Sequence, residues 1–414
     1  MIRYKYKLKS VLLIILTLIL VAALSACGTS ASGNAGSAGS ESSSASRSEG
    51  NSPQRDSKLS TDKTISSALT FQSADKLDYA EQFSVYRYDN GFSLINISDD
   101  TRYLLVPENA SAPPDLDSDI TVLQQPVGKI YLAASATMDM FASMGAIDSI
   151  AFSGEKQDGW YINEATEAMK KGRIKYAGKY NIPDYELLTD GGCGLAVENT
   201  MILHTPEVQE KLIEMNIPVL VDYSSYETHP LGRTEWIKLY GVITDRENQA
   251  AKAYNAQKDQ YESAVADSSG TKMHTVAYFS INSNGAASVR KSSDYVPAMI
   301  KAAGGKYIPD DLTDGKITST TTMQMEEFYK RAHDADILVY NSAIEGEVSS
   351  IDDLLKKAPS LKNFKAVKNG NVWCTSRNMY QSSMEAGTIT ADFHSIIADQ
   401  NVSDSRLTFM KRLK

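Results

Sequence analysis

Two α/β lobes joined by one long helix are what this sequence predicts, and three observations predict them. Short apolar runs alternate with helical stretches from about residue 125, and the same alternation starts again after residue 270. Between the two halves, residues 244–269 contain neither glycine nor proline. Alternation of this kind builds parallel sheets wrapped by helices, and an uninterrupted run of that length builds a rod.

The chain has 414 residues, 42% of them hydrophobic and 22% charged. At roughly 150 residues per domain this allows two to three domains, each large enough to bury a core. Acidic residues outnumber basic ones, 51 to 42, for a formal charge of −9. Nucleic acid is excluded as a partner, because no broad basic face is available to neutralise phosphates. There are three cysteines, at 27, 193 and 374. The last two fall in different halves, so this is not a disulfide scaffold.

Residues 1–26 read as a signal peptide. Arg3, Lys5, Lys7 and Lys9 precede an apolar run over 11–24, shorter than the roughly 20 residues of a permanent span. The run ends in Leu24-Ser25-Ala26-Cys27, which resembles the lipobox of bacterial lipoproteins. The resemblance implies acylation of Cys27 and attachment to membrane lipid at the outer face of the bacterial cell membrane. Residues 27–62 are dominated by serine, glycine and alanine, a flexible tether spanning roughly 30–35 Å.

The N-terminal lobe is expected over 63–242. It opens with a β-rich extension, strands near 83–86, 92–97 and 103–106, bounded by Asp89-Asn90-Gly91 and Pro107. Strands and helices then alternate at 129–133 and 138–144, 150–152 and 163–171, 195–197 and 206–215, ending on a strand at 219–221. The linking helix is placed within 243–268. Thr244 stands three residues before Glu247, the spacing of a reciprocal capping box, and a helix over 245–266 is about 33 Å long. The C-terminal lobe, 269–414, repeats the plan with strands near 275–279, 337–340 and 371–374 and helices near 294–303, 323–332, 351–357 and 388–397.

In such lobes, ligand contacts come from loops at the C-terminal ends of parallel strands. Ser135 follows the first of these strands, Trp160 and Tyr180 are loop aromatics suited to stacking on a flat chelate, and Asn199 ends another strand. The richest stretch, Tyr223 to Trp236, contains Tyr226, His229 and Arg233. Arg233 is the principal candidate, since a guanidinium recognises carboxylate, phosphate or an anionic chelate. The competing reading is an internal salt bridge from Arg233 to Glu227 or Glu235. His229 reads either as a contact to a metal centre or as a turn residue before Pro230. From the opposite lobe come Arg290, Tyr295 and Tyr340, with Asn282, Asn284 and Tyr380 behind them. No H-E-x-x-H pattern, G-x-S-x-G elbow or phosphate loop occurs in the chain. An enzyme is not expected, nor is a resident metal or cofactor.

The blocks GKYNIPDYELL, AVENTMILHTPEV and IPVLVDYSSYETHPLGRTEWIKLYG, followed by RKSSDYVPAMIKAAGGKY, DADILVYN and FKAVKNGNVW, resemble the iron-complex and cobalamin class of substrate-binding proteins of bacterial ABC importers. The resemblance covers about residues 125–400. It implies the class III periplasmic-binding-protein fold, two Rossmann-like lobes on a single long helix, acting as a monomer. It also implies a small-molecule metal complex held between the lobes and handed to the transmembrane subunits of an ABC permease. A ferric siderophore or haem-like chelate is the expected cargo, with a corrinoid as the alternative; a two-lobed chelatase and a surface adhesin stay as further readings. The docking glutamates of that class correspond here to Glu186 and to Glu326, with Glu327 also open for the second.

Overall fold

The computed structural model describes residues 59–270, 272–313 and 319–414. The signal peptide, Cys27 and nearly all of the tether lie outside the described residues.

The β-rich extension is a five-stranded sheet, Phe71–Ala74, Phe83–Tyr88, Ser93–Ile97, Arg102–Val106 and Ile120–Gln124, in that order. Its pairs are antiparallel except the last. Alternate side chains go to opposite faces, and both faces are covered. Phe83, Val85, Ile95, Tyr103 and Leu105 enter the main core. Tyr86, Leu94, Leu104 and Val106 form a smaller core with Ile65.

The N-terminal lobe holds a separate, wholly parallel sheet. Its order is Val219–Asp222, Leu195–Asn199, Ile130–Leu132, Ile150–Ser153, Lys175–Tyr176. The C-terminal lobe has its own sheet, with Thr275–Ile281, Ile337–Tyr340 and Val372–Thr375 parallel at its centre. Antiparallel strands flank that centre, Ala287–Arg290 and Thr320–Met323 on one side and Met410–Arg412 on the other. Two α/β lobes are therefore present, each on its own sheet.

The helix between them runs Glu247–Asp267, about 32 Å at 1.5 Å per residue. Its start differs from the capping box read in the sequence. Thr244 is the last residue of a preceding helix, Pro230–Thr244, and its hydroxyl donates to the Tyr240 carbonyl at 2.8 Å. Asp245 breaks the chain direction at φ 55°, and Glu247 turns to Arg87 of the N-terminal sheet. Helix Pro230–Thr244 takes in the second half of the stretch 223–236, which the sequence places among the loops after strand ends. A proline in the first helical turn sacrifices no hydrogen bond, since that N–H has no intrahelical partner.

The long helix is clamped between Pro230–Thr244 and Ala386–Ala398, and a glycine permits each approach. A Cβ on Gly241 would stand 2.7 Å from the Ala250 Cβ, and one on Gly387 2.6 Å from the Gln260 Cβ. Side chains of both lobes, including Leu132, Val197, Tyr240, Tyr254, Ile300 and Phe393, thereby share one continuous apolar core. A second core, with Phe279, Leu338 and Phe364, covers the far face of the C-terminal sheet. Cys193 and Cys374 are both buried and free.

Candidate functional site

The first turn of helix Pro230–Thr244 carries Arg233 to the place where the lobes meet. Its guanidinium carbon lies 4.7 Å from the centre of the Tyr295 ring, and Tyr295 opens helix Tyr295–Ala302 of the other lobe. The Arg233 Nε is buried and has no hydrogen-bond partner among the described residues. Pro230, Met299, Met379 and Ser383 complete the wall around it. A cation held this way keeps its capacity to bond an anion.

Arg290 approaches the same ring from the C-terminal lobe, 5.7 Å from its centre, and pairs with Asp294 at 3.3 Å. Burial opposes the Arg290 charge, but Asp294 and the surrounding tyrosines outweigh it and hold the guanidinium above its ordinary pKa. Two permanent cations, one from each lobe, therefore converge on one aromatic ring. Opposite them, burial raises the Asp139 carboxyl to about 6, with Glu385 adding and the Met384 N–H and Arg233 opposing.

The salt bridge from Arg233 to Glu227 or Glu235 does not form. Both glutamates are buried and turn to residues 78–82, the connection ahead of strand Phe83–Tyr88. Glu235 accepts the backbone N–H groups of Asp78, Tyr79 and Ala80. Glu227 accepts those of Glu81 and Gln82 and the Trp236 indole N–H.

Of its two readings, His229 takes the place of the turn residue before Pro230. Its ring stacks on Tyr79 at 3.9 Å, and its Nδ1 accepts the Leu231 N–H at 3.2 Å, capping the helix. Burial pushes its pKa down. Trp160 is corrected: it is buried in its lobe, with its indole N–H on the Ser153 hydroxyl at 3.0 Å, so it offers no open face for stacking. Tyr340 points the wrong way. Strand Ile337–Tyr340 sends Ile337 and Val339 into the shared core and Leu338 and Tyr340 into the far one, where Tyr340 packs on Phe279.

Ser135, half-buried, opens a short 3-10 turn at the lobe boundary. Asn199 ties strand ends together, donating to the Ala133 carbonyl at 3.1 Å and accepting the Met201 N–H at 2.9 Å. Tyr226 is half-buried against Tyr223, and Tyr180 is half-buried in the turn between Gly178–Lys179 and Ile182–Pro183. Arg233, Arg290 and Tyr295 are thus the predicted contacts that the fold brings into one cluster. Glu186 and Glu326 are exposed in the first turns of helices Tyr185–Asp190 and Met325–Ala332. Glu327 is instead paired with Arg331 at 2.5 Å. Sequence reasoning missed Gln381, which is buried and bonds across to the other lobe; a glutamine flanked by Tyr380 and Ser382 matches no motif that would have drawn attention to it.

Residues 196–377 match the model of a periplasmic binding protein family. Two uncharacterized lipoproteins of Methanocaldococcus jannaschii are similar. One is 23% identical over 333 residues, covering 74% of this chain and 77% of its own. The other is 25% identical over 323 residues, covering 73% and 77%. Among solved structures, a periplasmic heme binding protein from Pseudomonas aeruginosa superposes with a TM-score of 0.54 at 12% identity, over 69% of this chain and 99% of its own. The heme binding protein HutB of Vibrio cholerae gives 0.52 at 18%, over 64% and 97%. A possible iron-binding, periplasmic solute-binding protein from Staphylococcus epidermidis gives 0.53 at 17%, over 66% and 100%. Two lobes on separate sheets with one helical rod between them are the fold this chain has in common with these solved structures, and within that fold residues 196–377 are similar to the periplasmic binding protein family.

Proposed function

We propose that the protein is the lipid-anchored binding component of an ABC importer, and that it captures an anionic iron complex, a ferric siderophore or haem-like chelate, between its lobes. The observation that carries this reading is Arg233, a half-buried arginine at the lobe boundary whose buried Nε has no partner among the described residues and whose guanidinium lies against an aromatic ring. A permanent cation beside an aromatic ring suits a flat, oxygen-rich anion. Arg290 approaches from the facing lobe with its charge paired to Asp294, so it is Arg233 that favours closing the lobes on an anion over closing them on a neutral molecule. The iron travels as cargo inside its own chelator, and the protein holds no cofactor. Acylated Cys27 keeps the molecule at the outer face of the membrane, with the tether giving it reach. Exposed Glu186 and Glu326, one on each lobe, then meet arginines of the permease, a pairing that fixes orientation and speeds encounter.

Thermal shift against a panel of ferric siderophores, haemin and cobalamin tests the cargo. A ligand at 100 times its dissociation constant adds about 2.7 kcal/mol of stability, and Arg233→Ala is expected to abolish that gain. Glu186→Ala combined with Glu326→Ala is expected to keep the gain and lose uptake in cells. Stabilisation by cobalamin alone, or full stabilisation of the Arg233→Ala protein, overturns the reading.

A further inference from the structure

Between strand Val372–Thr375 and helix Ala386–Ala398, the chain leaves the C-terminal lobe and lies across the rim of the other. Gln381 is completely buried there, and both ends of its amide bond to backbone of the N-terminal lobe. Its Oε1 accepts the Tyr161 N–H at 2.9 Å, and its Nε2 donates to the Gly159 carbonyl at 2.8 Å. Nε2 also donates to the Tyr380 hydroxyl at 2.8 Å, and the Tyr380 ring meets Tyr161 edge-on at 6.3 Å. Two residues further on, the Ser383 hydroxyl donates to the Ala136 carbonyl at 2.7 Å, while the Ser383 carbonyl accepts from the Thr234 hydroxyl at 3.1 Å. The Met384 N–H donates to Asp139 at 2.8 Å.

The N-terminal lobe groups engaged in this way have a common origin. Ala136 and Asp139 follow strand Ile130–Leu132, Gly159 and Tyr161 follow Ile150–Ser153, and Thr234 follows Val219–Asp222. All lie past the C-terminal ends of parallel strands, where open α/β sheets meet their ligands. Backbone polar groups on such a rim must be satisfied by water, by ligand or by protein. Here protein satisfies them.

We propose that residues 380–384 are a built-in stand-in for cargo: a latch that fastens the two lobes together at this rim and is displaced when a ligand takes over the Tyr161 N–H and the Gly159 and Ala136 carbonyls. The latch goes beyond the functional reading above and acts on any cargo that enters between the lobes. It has a consequence opposite to that of an ordinary contact residue. The apparent affinity of a protein is reduced by the fraction held in a binding-incompetent state, so loss of the latch tightens binding, whereas loss of a contact weakens it.

The test needs no ligand. Amide exchange is measured on the full-length, unloaded chain as wild type, as Gln381→Ala with Ser383→Ala, and as Gln381→Glu. The last keeps the size of the side chain but loses the Nε2 donors. Exchange at Met384, whose own acceptor Asp139 is untouched, is expected to rise about tenfold in both variants, on the scale of one or two hydrogen bonds, with strand Leu195–Asn199 unchanged. Wild-type exchange at Met384, or an equal rise in that core strand, overturns the latch. Failure of the ligand panel above leaves this outcome unaffected, so the two ideas fall separately.

Discussion

Where the N-terminal sheet meets its lobe, five consecutive backbone amides, Asp78 to Gln82, point at the carboxylates of Glu235 and Glu227. Where the two lobes meet, apart from Asp139, the bonds run between an amide, hydroxyls and backbone carbonyls. Hydrogen bonds to an ionised acceptor are roughly twice as strong as neutral ones; Glu235 has Lys238 beside it at 2.5 Å, whereas burial raises Glu227 to about 7, so that gain belongs mainly to the Glu235 half of the seam, which is reinforced further. Lys258 of the long helix pairs with Asp78 at 2.8 Å, and Arg87 pairs with Glu247 at 2.6 Å. The Tyr79 carbonyl lies so close to Gly232 that a Cβ there would stand 2.9 Å away. The contrast teaches a division of labour. The sheet is fastened for good to the lobe and the rod, while at the rim where the lobes meet, outside the apolar core they share, the polar contacts are bonds that water or cargo can replace.

Breaking the charged seam carries the largest expected effect. Glu235→Ala leaves three half-buried backbone N–H groups without their acceptor and separates Lys238 from its partner at 2.5 Å. Removing one member of a buried charged cluster costs about 3–5 kcal/mol, so urea denaturation should show a loss of that size. A loss below about 1 kcal/mol would refute the idea that this carboxylate fastens the sheet. Glu198 sharpens the comparison from the other side. It is fully buried on strand Leu195–Asn199, yet neither carboxyl oxygen has a partner among the described residues, and burial raises its pKa to about 8. Because the folded pKa lies above the unfolded one, stability is intact below about pH 4.5 and is lost progressively as pH rises through 8. Glu198→Leu should therefore stabilise the protein at pH 9, on the order of a few kcal/mol, and much less at pH 5. Equal effects of this substitution at the two pH values would contradict the account.

Much of the architecture was legible because buried parallel strands read as short apolar runs, which is how 130–132, 195–199 and 219–222 announce themselves. Helix Pro230–Thr244 was hidden by Pro230 and Gly232, two residues that usually mark turns but here serve a first helical turn and a close backbone approach. The place of Arg233 at the lobe boundary was legible because a permanent charge a short way past a strand end has few other positions open to it. Glu227, His229 and Glu235 stand in the same window with equally polar side chains, but their partners lie about 150 residues earlier, at 78–82, and no local pattern records such a pairing. Tyr340 failed on the period of two: its place at a strand end was correct, but its side chain belongs to the face that packs away from the lobe boundary.

The smallest effect concerns Asp139, the carboxylate that the lobe boundary does contain. Burial, aided by Glu385 and Glu164 and opposed by the Met384 N–H and Arg233, holds its pKa at about 6 in the closed molecule, against about 3.9 for an exposed aspartate. Closing the lobes therefore favours the protonated form. The contribution to closure is complete below about pH 4 and disappears as pH rises through 6, so the lobes should be held together more tightly at pH 5 than at pH 8. The side chain keeps partial contact with solvent, and screening limits the change in the closing constant to about tenfold. Met384 amide exchange, corrected for the intrinsic pH dependence of the chemistry, should accelerate by that factor between the two values. Asp139→Asn retains an oxygen to accept the Met384 N–H but cannot titrate, so its corrected exchange should be flat. A slope that survives in the asparagine variant would transfer the pH dependence to another group and leave Asp139 as an acceptor only.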